Sequence, residues 1–95
     1  MDIAKADIVI STAGRDRGGW FYVVHTDGTY ALLTDGRGRK IEAPKRKKLK
    51  HVRRVARTDS QTAIKLKSGG MVLNSELRRD LAKICQQFNS QNQGG

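Results

Sequence analysis

Glycine punctuates the first half of this chain so closely that only short extended segments fit between the turns. The loop Thr12-Ala-Gly14-Arg-Asp-Arg-Gly18-Gly19, the Asp27-Gly28 pair and the Asp35-Gly36-Arg37-Gly38 turn separate three runs. Those runs, residues 6–11, 20–25 and 30–34, are rich in β-branched and aromatic residues and read as strands. Asp-Gly suits the two central positions of a type I′ hairpin turn between the second and third. Residues 39–43 read as a fourth strand of alternating polarity, ended by Pro44, the only proline, which cannot donate to a ladder. A fifth strand is expected over 49–55. Five short strands without crossover helices form an antiparallel meander, and a meander this small must curl to protect its edges. The expected fold is therefore mainly β: an SH3-like, partly open barrel of about five antiparallel strands. Its expected core is Ile8, Ile10, Phe21 or Tyr22, Val23, Leu32 and Ile41.

The last third changes period. Leu77, Leu81, Ile84, Cys85 and Phe88 fall on one helical face, and Asn74 or Ser75 is a good N-cap with Glu76 in the first turn. The spacing predicts an α-helix over about 75–88, packed on the barrel, with Cys85 buried. Residues 58–70 read two ways. Thr62, Ile64 and Leu66 alternate as in a strand, whereas Asp59 or Ser60 could cap a short helix that Gly69-Gly70 ends. The helix is preferred. The chain thus divides into residues 1–57, the barrel with its basic strand; 58–89, a helical extension packed on it; and 90–95, a polar disordered tail.

Charge concentrates in Pro44–Arg57. Lys45, Arg46, Lys47, Lys48, Lys50, Arg53, Arg54 and Arg57 supply +8 of a net +10, with no acid among them. Such a block repels itself unless an anion neutralises it, and a nucleic-acid backbone releases condensed counterions as it does so. A membrane-surface helix would need a wide apolar face that this run lacks. The N-terminus lacks the basic start and long apolar core of a signal peptide, and a single cysteine suits a reducing cytoplasm. One Cys and two scattered His do not make a zinc site. No nucleophile–base grouping suggests catalysis, Asp16, Asp27, Asp35 and Asp59 all sit at turns or caps, and the glycine loop lacks the Lys-Ser/Thr ending of a P-loop. The chain is expected to be no enzyme, with no cofactor, no metal and no small-molecule substrate.

Lys and Arg grip phosphate in any sequence, and Arg adds a planar fork that also stacks on bases. With no recognition helix, structured RNA is a better target than duplex DNA. The expected RNA contacts are Lys45, Arg46, Lys47, Lys48, Lys50, His51, Arg53 and Arg54 in the basic run. Arg15 and Arg17 join them on the glycine loop, where Gly14, Gly18 and Gly19 let phosphate reach backbone N–H groups. Arg37, Arg39 and Lys40 would widen the patch. Trp20 either stacks on a base or packs in the core, and Tyr22 and Tyr30 share that ambiguity. Reversing Lys45, Arg46, Lys47 and Lys48 together to Glu is expected to leave folding intact and abolish RNA binding.

Residues Lys5 to about Tyr30 resemble a KOW motif: alternating apolar and polar residues around a fixed glycine, here Gly14, then Arg15-Asp-Arg-Gly18 in place of the usual Lys-Asp-Lys-Gly. The fuller order is Ile8–Gly18, Leu33-Thr-Asp-Gly36, Pro44–His51 and Leu73–Arg78. It is similar to small bacterial relatives of the fourteenth large-subunit ribosomal protein of archaeal and eukaryotic type. Gly19-Trp20 departs from that pattern, as does the segment before Gly69. The resemblance implies a KOW SH3-like barrel with C-terminal helices, binding to ribosomal RNA beside ribosomal proteins, and a cytoplasmic, ribosome-associated location. KOW barrels also serve as protein-docking modules. In that alternative Trp20, Tyr22 and an aliphatic strand edge contact a protein.

Overall fold

The computed structural model describes residues 2–93, with side chains through Asn89. Its five strands are β1 (Ile8–Ser11), β2 (Trp20–Thr26), β3 (Tyr30–Thr34), β4 (Lys45–Lys48) and β5 (Val52–Ala56), followed by helices α1 (Gln61–Ser68) and α2 (Asn74–Gln93). All pair antiparallel in one sheet of order β4-β3-β2-β1-β5. A three-residue 3-10 turn, Leu49–His51, joins the two edge strands. Leu49 N donates to Thr29 O (2.9 Å) and Thr12 N donates to His51 O (2.8 Å), so the turn spans from the β2–β3 hairpin to the end of β1. The sheet must curl to allow this, but no ladder joins β4 to β5 and no closed barrel forms.

Both faces of the sheet are covered. This is why Ile8-Val9-Ile10 and Phe21-Tyr22-Val23 are continuous apolar runs. One layer holds Val9, Phe21, Val23, Ala31, Leu33 and Val52. The other holds Ala6, Ile8 and Tyr22 against Ala63, Leu66, Val72, Leu77 and Leu81 of the helical segment. The expectation that either Phe21 or Tyr22 enters the core is therefore corrected: both do, in different layers. The expected core position at Leu32 passes to Leu33, which is fully buried, because the sheet curls toward that side. Ile10 and Ile41 are only partly buried.

The fourth strand is displaced from expectation. Residues 39–43 form turns, and β4 begins only after Pro44, where every residue again has an N–H to donate. The fifth strand starts at Val52 because the 3-10 turn takes 49–51. The β2–β3 turn is not type I′: Gly28 alone has a positive φ (+92°). Asp27 instead accepts through Oδ1 from Thr29 N (3.0 Å) and Tyr30 N (2.8 Å).

Residues 61–68 are helical. Ser60 Oγ accepts from Ala63 N (3.1 Å), and Gly69 closes the end at φ +77°. The α2 helix keeps Leu77 and Leu81 buried as the spacing predicts, and its backbone continues to Gln93 since no Gly or Pro intervenes before Gly94. The sequence reading places a disordered tail from residue 90; Gly94 and Gly95 lie outside the described residues. Asn74 does not cap with its own side chain. Its Oδ1 accepts from Ile41 N (2.8 Å) and its Nδ2 donates to the Glu42 carboxylate, tying the 35–43 segment to the helix start. Glu76 Oε2 accepts from Leu73 N (2.9 Å) in its stead.

Gly36 allows that junction. A Cβ there would collide with Asn74 O and lie 2.9 Å from Leu77 Cβ, and the Gly36 φ is +73°. A Gly36→Ala change should cost more than the roughly 1–3 kcal/mol of the backbone strain alone. Thermal denaturation should show the loss; an unchanged midpoint would mean that the turn and helix do not pack this closely. Among the described residues, no helix is long and apolar enough to cross a membrane.

Candidate nucleic-acid interface

Strand alternation sorts the basic run by face. Lys47 pairs with Ala31 and Lys45 with Leu33, so both point to the layer that Ala31 and Leu33 line. Arg46 and Lys48 point the other way and are exposed. Lys47 is 8% exposed. Its Nζ donates to Asp16 Oδ1 (2.6 Å) and to Ala13 O (2.7 Å). The structure thus removes Lys47 from the expected contact surface, since a strand of consecutive lysines must send every second one inward. Lys45 is drawn the same way, its Nζ 3.8 Å from Asp16 Oδ2.

Asp16 gathers these groups. Ser11 Oγ donates to its Oδ1 (2.9 Å), while Oδ2 is buried without a hydrogen bond. Burial alone would raise the Asp16 carboxyl, but hydrogen bonds from Lys47 and Ser11 and the charges of Lys47 and Lys45 outweigh it and hold it below the usual carboxylate range. Gly14 permits the contact: at φ +84° it would bring a Cβ within 3.2 Å of Lys47 Nζ. The consequence is positional. The glycine loop is pinned beside β4, which leaves exposed Arg15 and Arg17 next to the basic strand. The structure therefore brings together the loop and the run that the sequence names separately.

The loop amides are less available than expected. Gly18 N donates to Ser11 O (2.8 Å) and Gly19 N donates to Asp16 O (2.9 Å), because the loop folds back on itself. These two N–H groups are not open to phosphate. Gly19 also packs against Phe21, whose ring a Cβ would meet at 2.9 Å.

A second carboxylate withdraws two more arginines. Asp7 is 1% exposed. It accepts from Arg57 Nε at Oδ1 (2.8 Å) and from Arg57 Nη2 at Oδ2 (3.0 Å), with Arg54 Nη1 3.9 Å from Oδ2. Arg54 Nη1 also donates to Asp2 O (3.2 Å). Arg54, expected at the interface, is thus turned toward the N-terminal segment. Burial would raise the Asp7 carboxyl, yet the Arg57 and Ala4 hydrogen bonds and the two guanidinium charges keep it below its ordinary value. Both carboxyls are lower in the folded state, so the unfolded chain takes up protons first as pH falls. Their stabilisation is complete above the ordinary Asp value of about 3.9 and fades as pH drops through the folded values below it. Urea midpoints should therefore fall between pH 6 and pH 3, and less so in Asp7→Asn; identical midpoints at both pH values would overturn this account.

The exposed cations that remain are continuous along the chain: Arg46, Lys48, Lys50 and Arg53, with half-buried His51 among them. Arg46 is held in place by Tyr30, its guanidinium carbon 3.7 Å from the ring centroid. That contact, worth about 0.5–1 kcal/mol at an exposed site, needs the β3–β4 register to be seen. Tyr30 alone gives no signal for it.

Arg37, Arg39 and Lys40 are exposed on the turn after β3, at the base of α2. Trp20 is half-buried there, edge-on to Phe88 with centroids 5.4 Å apart and planes at 71°. It lines a cleft of about 220 Å³ with Asp35, Arg37, Arg78, Leu81, Ala82 and Cys85. Cys85 is only half-buried, since it borders this cleft. Arg78, which is off the apolar face of α2, donates from Nη1 to Gly36 O (2.7 Å). Tyr22 is fully buried, and its hydroxyl is pushed up to about 12 by burial and by Asp80, with a hydrogen bond to Ser60 opposing. Tyr22 therefore offers no surface to a docking protein, and Trp20 offers only its cleft side.

Comparison with protein-family models and with curated proteins finds no match for this chain.

Proposed function

We propose that this chain is a non-enzymatic RNA-binding protein, and that its curled five-stranded sheet is a KOW-type, SH3-like barrel left open at one seam. The observation that carries the reading is the joint between the glycine loop and β4. Asp16 holds Lys45 and Lys47 inward, and Arg15, Arg17, Arg46, Lys48, Lys50 and Arg53 are left as a fixed cationic strip without a carboxylate partner among the described residues. A strip of this kind tracks a sugar–phosphate backbone and binds by counterion release. Arg46, stacked on Tyr30, presents a planar fork already oriented for phosphate. The resemblance of Ile8–Gly18, Pro44–His51 and Leu73–Arg78 to a ribosomal family makes folded ribosomal RNA of the large subunit the proposed target, in the cytoplasm and beside ribosomal proteins.

The test is competition. Binding to a labelled structured RNA, followed by anisotropy across a salt series, should give a steep linear log–log dependence. Unlabelled duplex DNA should compete poorly. A flat salt response, or equal competition by duplex DNA, would overturn the assignment to structured RNA.

A further inference from the structure

We infer that the cleft beside Trp20 is a pocket for one unstacked nucleobase, and that its chemistry selects guanine. The inference rests on the RNA-binding reading above and adds a base-reading site to a surface that otherwise contacts only backbone. Its volume of about 220 Å³ is below the range for drug-sized ligands, roughly 300–1,000 Å³, and suits a single flat ring system. Trp20 supplies an aromatic wall whose tilt is set by the edge-on contact with Phe88, so the ring is ordered before any ligand arrives. Leu81 and Cys85 supply apolar lining. The polar groups are of two kinds: one carboxylate, Asp35, which only accepts, and two guanidiniums, Arg37 and Arg78, which only donate.

That division matches one base best. Guanine offers two adjacent donors, N1–H and the N2 amino group, on one edge, and two adjacent acceptors, O6 and N7, on another. Oδ2 of Asp35, its Oδ1 being taken by two backbone N–H groups, accepts from the first pair, and an arginine fork donates to the second. Adenine and cytosine each present a single amino donor, and uracil has only one ring N–H. Both sides of the reader are held by the fold. Asp35 Oδ1 accepts from Arg37 N and Arg39 N (both 2.9 Å), which fixes the carboxyl group while Oδ2 makes no hydrogen bond within the described residues. Arg78 is fixed by its bond to Gly36 O. Trp20 follows the glycine loop in the chain, and exposed Arg39 and Lys40 follow the Asp35–Arg37 wall of the cleft.

Trp20 is the only tryptophan, so its fluorescence reports on the cleft alone. The probe is a short single-stranded oligouridylate with one central G, A or C and a terminal label, read by Trp20 quenching and by label anisotropy together. The G oligomer should quench strongly and bind about tenfold tighter than the others. Asp35→Asn keeps the Oδ1 acceptor that holds the turn, and it should remove the preference for G while leaving the salt slope unchanged. Arg37→Ser, at an exposed side chain, should also remove the preference for G. Three results would overturn the inference: anisotropy binding without quenching, quenching equal for all bases, or a preference for G that survives Asp35→Asn with the protein folded. The first two leave the cationic strip standing. Absence of any anisotropy change with either this probe or structured RNA would remove the RNA-binding reading as well.

Discussion

Changing Arg46, Lys48, Lys50 and Arg53 together to Glu should leave the fold in place and lower affinity for structured RNA by about a thousandfold at moderate salt. Loss of four phosphate contacts should also flatten the log–log salt slope by about 4. All four side chains are exposed, and among the described residues only Arg46 has a specific contact to lose, its stacking on Tyr30. Each reversal removes two charges, so the net charge falls from +10 to about +2 and self-repulsion falls with it. The block reversal expected from the sequence, Lys45 through Lys48, is a poorer experiment. It would set a Glu at position 47 against the buried Asp16 carboxylate and abolish binding by unfolding the protein. Thermal melts separate the two variants: the exposed set should melt within a few degrees of the parent. If that set keeps full affinity, the strip is not where RNA binds.

Asp16→Ala should be among the most destabilising single changes in the chain. It leaves the Lys47 ammonium, 8% exposed, without its carboxylate. Removing one member of a buried pair costs about 3–5 kcal/mol, and the lower figure applies here because Asp16 keeps some access to solvent. In a domain of this size that lowers the melting temperature by more than about 10 °C. Adding Lys47→Met should restore most of the loss, since an apolar chain of similar length no longer needs a counter-charge. The double variant should nevertheless bind RNA more weakly than the parent, because nothing then holds Arg15 and Arg17 against β4. Additive losses in the double variant would show that the pair is not coupled. Full RNA affinity in it would show that the loop's position is immaterial.

Much of the fold is legible in the chain because local rules act there undisturbed. The positions of the glycine turns and the α2 face of Leu77 and Leu81 follow from spacing, whereas 58–70 reads as strand or helix until the Ser60 cap and the Gly69 end settle it. Misplaced elements cluster where distant groups compete. Residues 39–43 look like a strand until Asn74 takes the Ile41 N–H and Gly36 receives the helix start. Leu32 looks like core until the curl of the sheet turns Leu33 inward instead. At the interface, composition identifies the cations but cannot say which of them the protein keeps for itself. Asp16 reads as an ordinary turn acid and Asp7 as part of a strand, and the cations that bond them most closely, Lys47 and Arg57, lie 31 and 50 residues away.

The sequence by itself determined an antiparallel meander with a terminal amphipathic helix and a dense basic segment after Pro44. These properties depend on neighbours a few residues apart, where turn chemistry and side-chain periodicity act directly. Only the tertiary structure decided that alternate lysines of that segment face opposite sides, that Asp16 joins the glycine loop to it, and that Trp20 closes a cleft with the start of α2. Those outcomes depend on strand register and on the direction in which a two-faced sheet curls, and long-range burial sets both.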